Sequence, residues 1–135
     1  MAYHLDTSAF SDLMREHPQM QTRLGALPPD ETVSICAIVR GEILHGLGRL
    51  PAGQRREDLT VKAARLFAAL PCLSVSGPVA DHYAAIKLTR QSKGLALDEN
   101  DLWIAATARQ SGAILLTRDG DFPHIDGLNV EDWTK

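Results

Sequence analysis

Residues 97–117 read LDENDLWIAATARQSGAILLT, and the two halves of that run follow different rules. From Leu102 to Ala108 nearly every residue is apolar or small, and Gly112 follows as a stop, so the pattern predicts a buried helix ending near Gly112. Residues 113–117, AILLT, are a short apolar run of the kind found in a fully buried strand. A buried helix feeding a buried strand is one unit of a layered α/β fold.

The same alternation continues toward the N-terminus. Gly77-Pro78 opens a helix over about 78–92 carrying Val79, Tyr83, Ile86 and Leu88, with Gly94 closing it, and CLSVS at 72–76 reads as a strand. LTVKAARLFAAL at 59–70 is a helix stopped by Pro71, and GRLPAGQRRED at 48–58 reads as the chain's best loop. TVSICA at 32–37 is a β-branched strand that runs into a helix, AIVRGEILHGL, with Ile35, Val39, Ile43 and Leu47 on one face. AYHLD at 2–6 is a strand ending in an acid, followed at 7–24 by a helix-like recurrence of Phe10, Leu13 and Met14. After AILLT come a turn-rich stretch, RDGDFPHIDG, and a last short edge strand in LNVEDW at 128–133.

Strands separated by helices imply a three-layer α/β/α domain with a mostly parallel central sheet and right-handed crossovers. At 135 residues the chain is expected to be one domain, 1–135, and 44% hydrophobic against 23% charged residues supplies a real core rather than a disordered or fibrous chain. No apolar run reaches the roughly 18 residues that span a bilayer, and the start lacks a signal-peptide pattern, so a cytoplasmic location is expected. Cys36 and Cys72 form no CxxC pair and read as reduced core thiols. A net charge of −3 gives no global case for nucleic acid, so any such case must be local.

The local case is made by acids. Asp98 precedes the apolar helix by the spacing of a helix cap, and Asp98, Glu99 and Asn100 are all accounted for by helix-start chemistry. Asp101 stands against the helix that must be buried, where a carboxylate needs a partner. Asp6 ends the first strand, Glu42 lies among apolar residues of a helix, and Asp119 follows the last buried strand. In parallel α/β sheets ligands bind beyond the carboxyl ends of the strands, where these four can converge. Like charges at about 4 Å repel by around 4 kcal/mol at an effective dielectric of 20, so something positive must lie between them. Oxygen-only ligands favour Mg²⁺, or Mn²⁺, and such a site activates water against a phosphodiester, which is nuclease chemistry.

The motifs LDTSAF, RGEILHG, ENDLWIAATARQSGAILLTRDGDF and GLNVEDW, in that order over nearly the full length, resemble the PIN-domain ribonucleases, and specifically the VapC-like toxins of bacterial toxin-antitoxin operons. The resemblance implies a metal-dependent endoribonuclease, a cognate antitoxin whose C-terminal segment wraps the toxin and places an arginine among the acids, and a homodimer. By the same resemblance Asp6 and Asp101 are the principal metal ligands and Glu42 and Asp119 complete the pocket, with Asp121 able to take the place of Asp119. Thr7 and Ser8 read first as helix caps and second as groups that orient Asp6. Thr117 and Arg118 flank the fourth acid, and Arg118 either steers an RNA phosphate or pairs with a surface acid. Arg49, Arg55 and Arg56 in the 48–58 loop are further candidates to track an RNA backbone.

Three other readings compete. Glu42 and His45 make an E-x-x-H spacing used by di-iron bundles, but it occurs once and the strands oppose a bundle. His45, with His4, His17, His82 and His124, is expected at the surface or supporting the site. The fold could also serve as an inactive binding module, although all four acids are present, or as a metal-dependent nuclease acting on DNA, or a phosphatase.

Overall fold

The computed structural model describes every residue except Asp121, and of Pro123 only the backbone. Among the described residues the chain runs β1 (Ala2–Leu5), α1 (Thr7–Met14), α2 (Pro18–Gly25), β2 (Thr32–Cys36), α3 (Ala37–Arg49), α4 (Gln54–Ala69), β3 (Cys72–Leu73), α5 (Gly77–Ser92), α6 (Glu99–Gln110), β4 (Ile114–Leu116), a 3₁₀ turn at Phe122–His124, and β5 (Val130–Glu131). The sheet order is β3-β2-β1-β4-β5, and each of these neighbouring pairs is parallel. Tyr3 of β1 lies opposite Val33 on one side and Ile114 on the other, so β1 is the middle of the sheet.

The direction of travel sets the layers. The chain steps outward from β1 to β3, then returns past β1 to β4 and β5. Right-handed crossovers place the helices of the outward steps on one face and those of the return on the other. In keeping with this, α1 packs on α2, α3 and α4, while the most extensive helix pair is α5 with α6. The order reverses between β1 and β4, and the crevice beyond their carboxyl ends is where a doubly wound sheet binds ligands. A backbone bond from Asp6 N–H to the Leu116 carbonyl, 3.1 Å, closes the two strand ends together.

The sequence patterns explain most of the elements. Leu5, Phe10, Ile35, Val39, Ile104, Leu115 and Leu116 are 0–1% exposed and form the centre of the core. Phe10 stacks on Phe67 of α4 with ring centroids 5.1 Å apart, tying α1 to α4. At the far edge Trp133 packs its ring against Tyr3, at 5.0 Å, beneath the Arg23 guanidinium.

Several boundaries differ from expectation for physical reasons. The stretch 7–24 is two helices, because Glu16 takes a left-handed φ of 63° and Pro18 starts α2, where its missing N–H costs nothing. Much of the 48–58 loop is helix: α3 runs through Arg49 and α4 starts at Gln54, so the connection shrinks to 50–53. Gly53, at φ 149°, makes the turn, and Gln54 bonds Asp58 at 2.7 Å to firm the first turn of α4. Arg55 and Arg56 are therefore carried on a helix. Ile35 belongs to β2, leaving Val39, Ile43 and Leu47 as the buried stripe of α3. Leu88 is 67% exposed, since the buried stripe of α5 runs through Val79, Ile86 and Arg90. Cys36 is buried as expected, but Cys72 is exposed, because β3 is a two-residue edge strand.

Two stability predictions follow from this packing. Phe10→Ala removes a fully buried ring and should cost about 3–5 kcal/mol in urea denaturation. Cys72→Ser, at an exposed position, should stay within about 0.5 kcal/mol of the parent in the same measurement.

Candidate active site

Four acids reach the β1/β4 crevice from four elements. Asp6 follows the last residue of β1 and is also the N-cap of α1. Glu42 stands on the second turn of α3, half-buried. Asp101 is the third residue of α6, and Asp119 lies two residues beyond Thr117 at the exit of β4.

Asp6 is the most enclosed of them, at 3% exposure. One carboxylate oxygen accepts from Ser8 Oγ and from the Ala9 N–H, each at 2.8 Å, and the other accepts from Thr117 Oγ1. Burial pushes the carboxyl up, the donors from Thr117, Ala9 and Ser8 pull it back, and neighbouring Asp119 pushes it up again. Thr117 is itself buried, and its hydroxyl oxygen accepts the Asp119 N–H at 2.9 Å. One hydroxyl thus fixes Asp6 and the backbone of Asp119 together.

Glu42 is held in a similar way by neutral donors. Thr7 Oγ1 donates to its Oε1 at 2.5 Å, and Asn100 Nδ2 donates to its Oε2 at 3.3 Å. Asp101 is different: burial first, then the charges of Asp98, Asp119, Glu42 and Asp6, push its carboxyl up to about 7. All of the other three candidate acids act on it, so the structure brings the expected four into one field.

The donor set fits a hard divalent cation. It is all oxygen, and among the described residues no Lys or Arg forms an ion pair with Asp6, Glu42 or Asp101. The carboxylates share a field without closing on a point, and among the described residues no three His, Cys, Asp or Glu side chains stand as a group that could hold a metal ion. The hydroxyl, amide and backbone donors anchor Asp6 and Glu42. Asp6, Asp101, Glu42 and Asp119 are the acids of this shared field. Asp121, the alternative to Asp119, lies outside the described residues.

Several supporting residues have roles other than those expected. Asp6, not Thr7 or Ser8, caps α1; the two hydroxyls serve the acids, Thr7 on Glu42 and Ser8 on Asp6. Asp98 does cap α6, accepting from the Asn100 N–H at 3.1 Å. Arg118 pairs with Asp12 at 2.6 Å, the surface-acid alternative, while its N–H reaches Ser8 Oγ at 3.4 Å. Asn100 has the local signal of a helix start alone, and its reach to Glu42 across to α3 has none in the sequence.

The histidines also separate. His4 is fully buried in β1, bonded through Nδ1 to Ser34 Oγ at 2.8 Å, and burial lowers its pKa to about 4, so it is a neutral core residue. His17 caps α2, His82 accepts from Arg109 Nε at 2.9 Å, and His45 and His124 are exposed.

The chain and its fold have counterparts among known proteins. The chain is 28% identical to "Ribonuclease VapC1" of Haemophilus influenzae over the whole of both chains. It is 32% identical to "Toxin FitB" of Neisseria gonorrhoeae over 96% of each. Its fold superposes on the structure of VapBC2 from Rickettsia felis bound to a DNA fragment from their promoter with a TM-score of 0.89, at 27% identity, covering 98% of this chain and 99% of that one. VapBC-1 from nontypeable Haemophilus influenzae gives a TM-score of 0.87 at 28% identity over all of both chains. The profile of the PIN domain matches residues 3–128, and the chain belongs to the PIN domain family.

Proposed function

We propose that this chain is an endoribonuclease that hydrolyses RNA phosphodiester bonds with a divalent cation, Mg²⁺ or in its place Mn²⁺, and acts as the toxin of a toxin-antitoxin pair. The observation that carries the reading is the gathering of Asp6, Glu42, Asp101 and Asp119 from separate elements into one field, with the Asp101 carboxyl driven up to about 7 by burial first and then by the charges of Asp98, Asp119, Glu42 and Asp6. A cluster of that kind at the switch point of a parallel sheet is unfavourable as mere structure and useful as a cation site. Relatives named as ribonucleases, at full coverage, support RNA over DNA as substrate, and the neighbours solved as VapBC complexes support an antitoxin partner.

Asp6 and Asp101 are assigned as the principal ligands, with Glu42 and Asp119 completing the pocket. The bound cation supplies Lewis-acid stabilisation of charge developing on the phosphodiester and lowers the pKa of an attacking water. The chain itself supplies position. Thr117 and Ser8 keep the Asp6 carboxylate from turning, Thr7 and Asn100 do the same for Glu42, and the Thr117 hydroxyl fixes the start of the Asp119 segment. An antitoxin inhibits such a pocket by presenting a guanidinium to its acids. No helix among the described residues is long and apolar enough to cross a membrane, and we place the protein in the cytoplasm, as a homodimer.

Asp101→Asn keeps size and helix-start character but removes the charge. Steady-state cleavage of an RNA substrate should fall about 10³-fold in kcat, the scale of several kcal/mol of cation stabilisation, and unchanged cleavage sinks the assignment.

The same variant has a pH signature in chelator. The Asp101 carboxyl is raised from 3.8 to about 7, so the stability it contributes is fully present below about pH 4 and is lost as pH climbs through about 7. Asp101→Asn should therefore melt higher than the parent at pH 8 and level with it near pH 4. Mg²⁺ at pH 8 should narrow the gap by stabilising the parent alone.

A further inference from the structure

One arginine stands at the edge of the acid pocket. Both chain neighbours of Arg118 belong to the site: Thr117 donates to Asp6, and Asp119 is one of the four acids. The Arg118 N–H reaches Ser8 Oγ at 3.4 Å, and that hydroxyl lies 2.8 Å from an Asp6 carboxylate oxygen. The backbone of Arg118 is therefore two hydrogen-bond lengths from the most enclosed acid, a gap that three methylenes and a guanidinium can span. A cation tethered so close to a negative field is attracted into it.

The guanidinium nevertheless lies elsewhere. Its Nε donates to Asp12 Oδ2 at 2.6 Å, and the Asp12 side chain is 13% exposed against 49% for Arg118, so the acid is the fixed partner and the arginine the held one. Asp12 comes six residues after Asp6, the N-cap of α1, and at 1.5 Å per residue it stands about 9 Å up the helix from the pocket. A second outer acid feels the same charge. Burial raises the Asp132 carboxyl, and the Thr134 hydroxyl and N–H, then the charges of Lys135 and Arg118, bring it below the usual carboxylate range. Arg118 is thus held on the outer side of the site, among acids that are not assigned to the cation.

We propose, resting on the cation reading of the four acids, that Asp12 is a positioning residue that holds Arg118 out of the pocket and so keeps the chain from filling its own cation site. Released from Asp12, the guanidinium turns down α1 onto the acids, the same contact an antitoxin makes from outside when it presents an arginine to them. Self-occupation of this kind lowers the apparent affinity for a divalent ion in proportion to the fraction of molecules left open.

The test is Mg²⁺ binding without RNA, read as the rise in melting temperature along a Mg²⁺ titration at pH 8. Asp12→Asn keeps the size of the side chain and removes the charge that holds Arg118. It should weaken apparent Mg²⁺ binding about tenfold, the loss expected when roughly nine molecules in ten are self-occupied. Asp12→Asn combined with Arg118→Ala should return to the parent affinity, and Asp12→Glu, which keeps the charge, should stay near it. The comparison is repeated in about 1 M sodium chloride, where a Debye length of about 3 Å removes the pull of an unpaired charge acting from a distance. Parent-like binding in Asp12→Asn, a loss that Arg118→Ala does not repair, or a loss that vanishes in high salt overturns the proposal. If Asp12→Asn is too unstable to melt cooperatively, Asp12→Ser with and without Arg118→Ala decides on the same readout. A parent that Mg²⁺ does not stabilise overturns the cation reading and this proposal together, whereas one that binds Mg²⁺ and cleaves no RNA defeats the nuclease reading alone.

Discussion

The buried carboxylate of Asp6 is the constraint around which the rest of the site is arranged. It sits where the middle strand stops, is almost wholly buried, and is satisfied by the neighbouring Ser8 hydroxyl and Ala9 N–H and by the Thr117 hydroxyl from far along the chain. Neutral donors stabilise the charge without cancelling it. The pocket therefore keeps its negative field, which adds to burial, the larger cause, in lifting the proton affinity of Asp101 on the facing helix. Had a lysine satisfied Asp6, the fold would be easier to hold and the pocket would have little affinity for a cation.

The sheet explains why these groups meet. Parallel strands end on one side, and the order 3-2-1-4-5 opens a crevice between β1 and β4. Asp6 and Asp119 leave the two strands that border it, while α3 and α6 pack together and bring Glu42 and Asp101 to its rim. The two residues that clamp Glu42 come from α1 and α6, so its orientation reports on how three helices sit together.

Much of this was legible in the chain itself. The strand-helix alternation, the central acids and the Asp98 cap all rest on local patterns, apolar periodicity and acids at element ends, which a linear reading captures. What escaped it depends on partners far away in sequence. Asn100 looks like one more helix-start residue until α3 supplies Glu42, Thr7 looks like a cap until the same carboxylate is placed beside it, and His4 looks exposed until β2 and β4 cover it. The 48–58 segment failed for another reason, because its Gly, Pro and charge content suggests a loop while Gln54 to Asp58 are compatible with a helix once Gly53 makes the turn.

Asp6 does two jobs with one side chain, since the oxygen that caps α1 belongs to the carboxylate assigned to the pocket. Reactivity and helix initiation are therefore not separable at that position. On the proposed assignment of both acids, a cell escaping this protein through a change at Asp6 would accumulate less of it as well as a silenced form, because the first helix would lose its start, whereas an escape at Asp101 would leave a well-folded, inert copy still able to occupy whatever binds the fold.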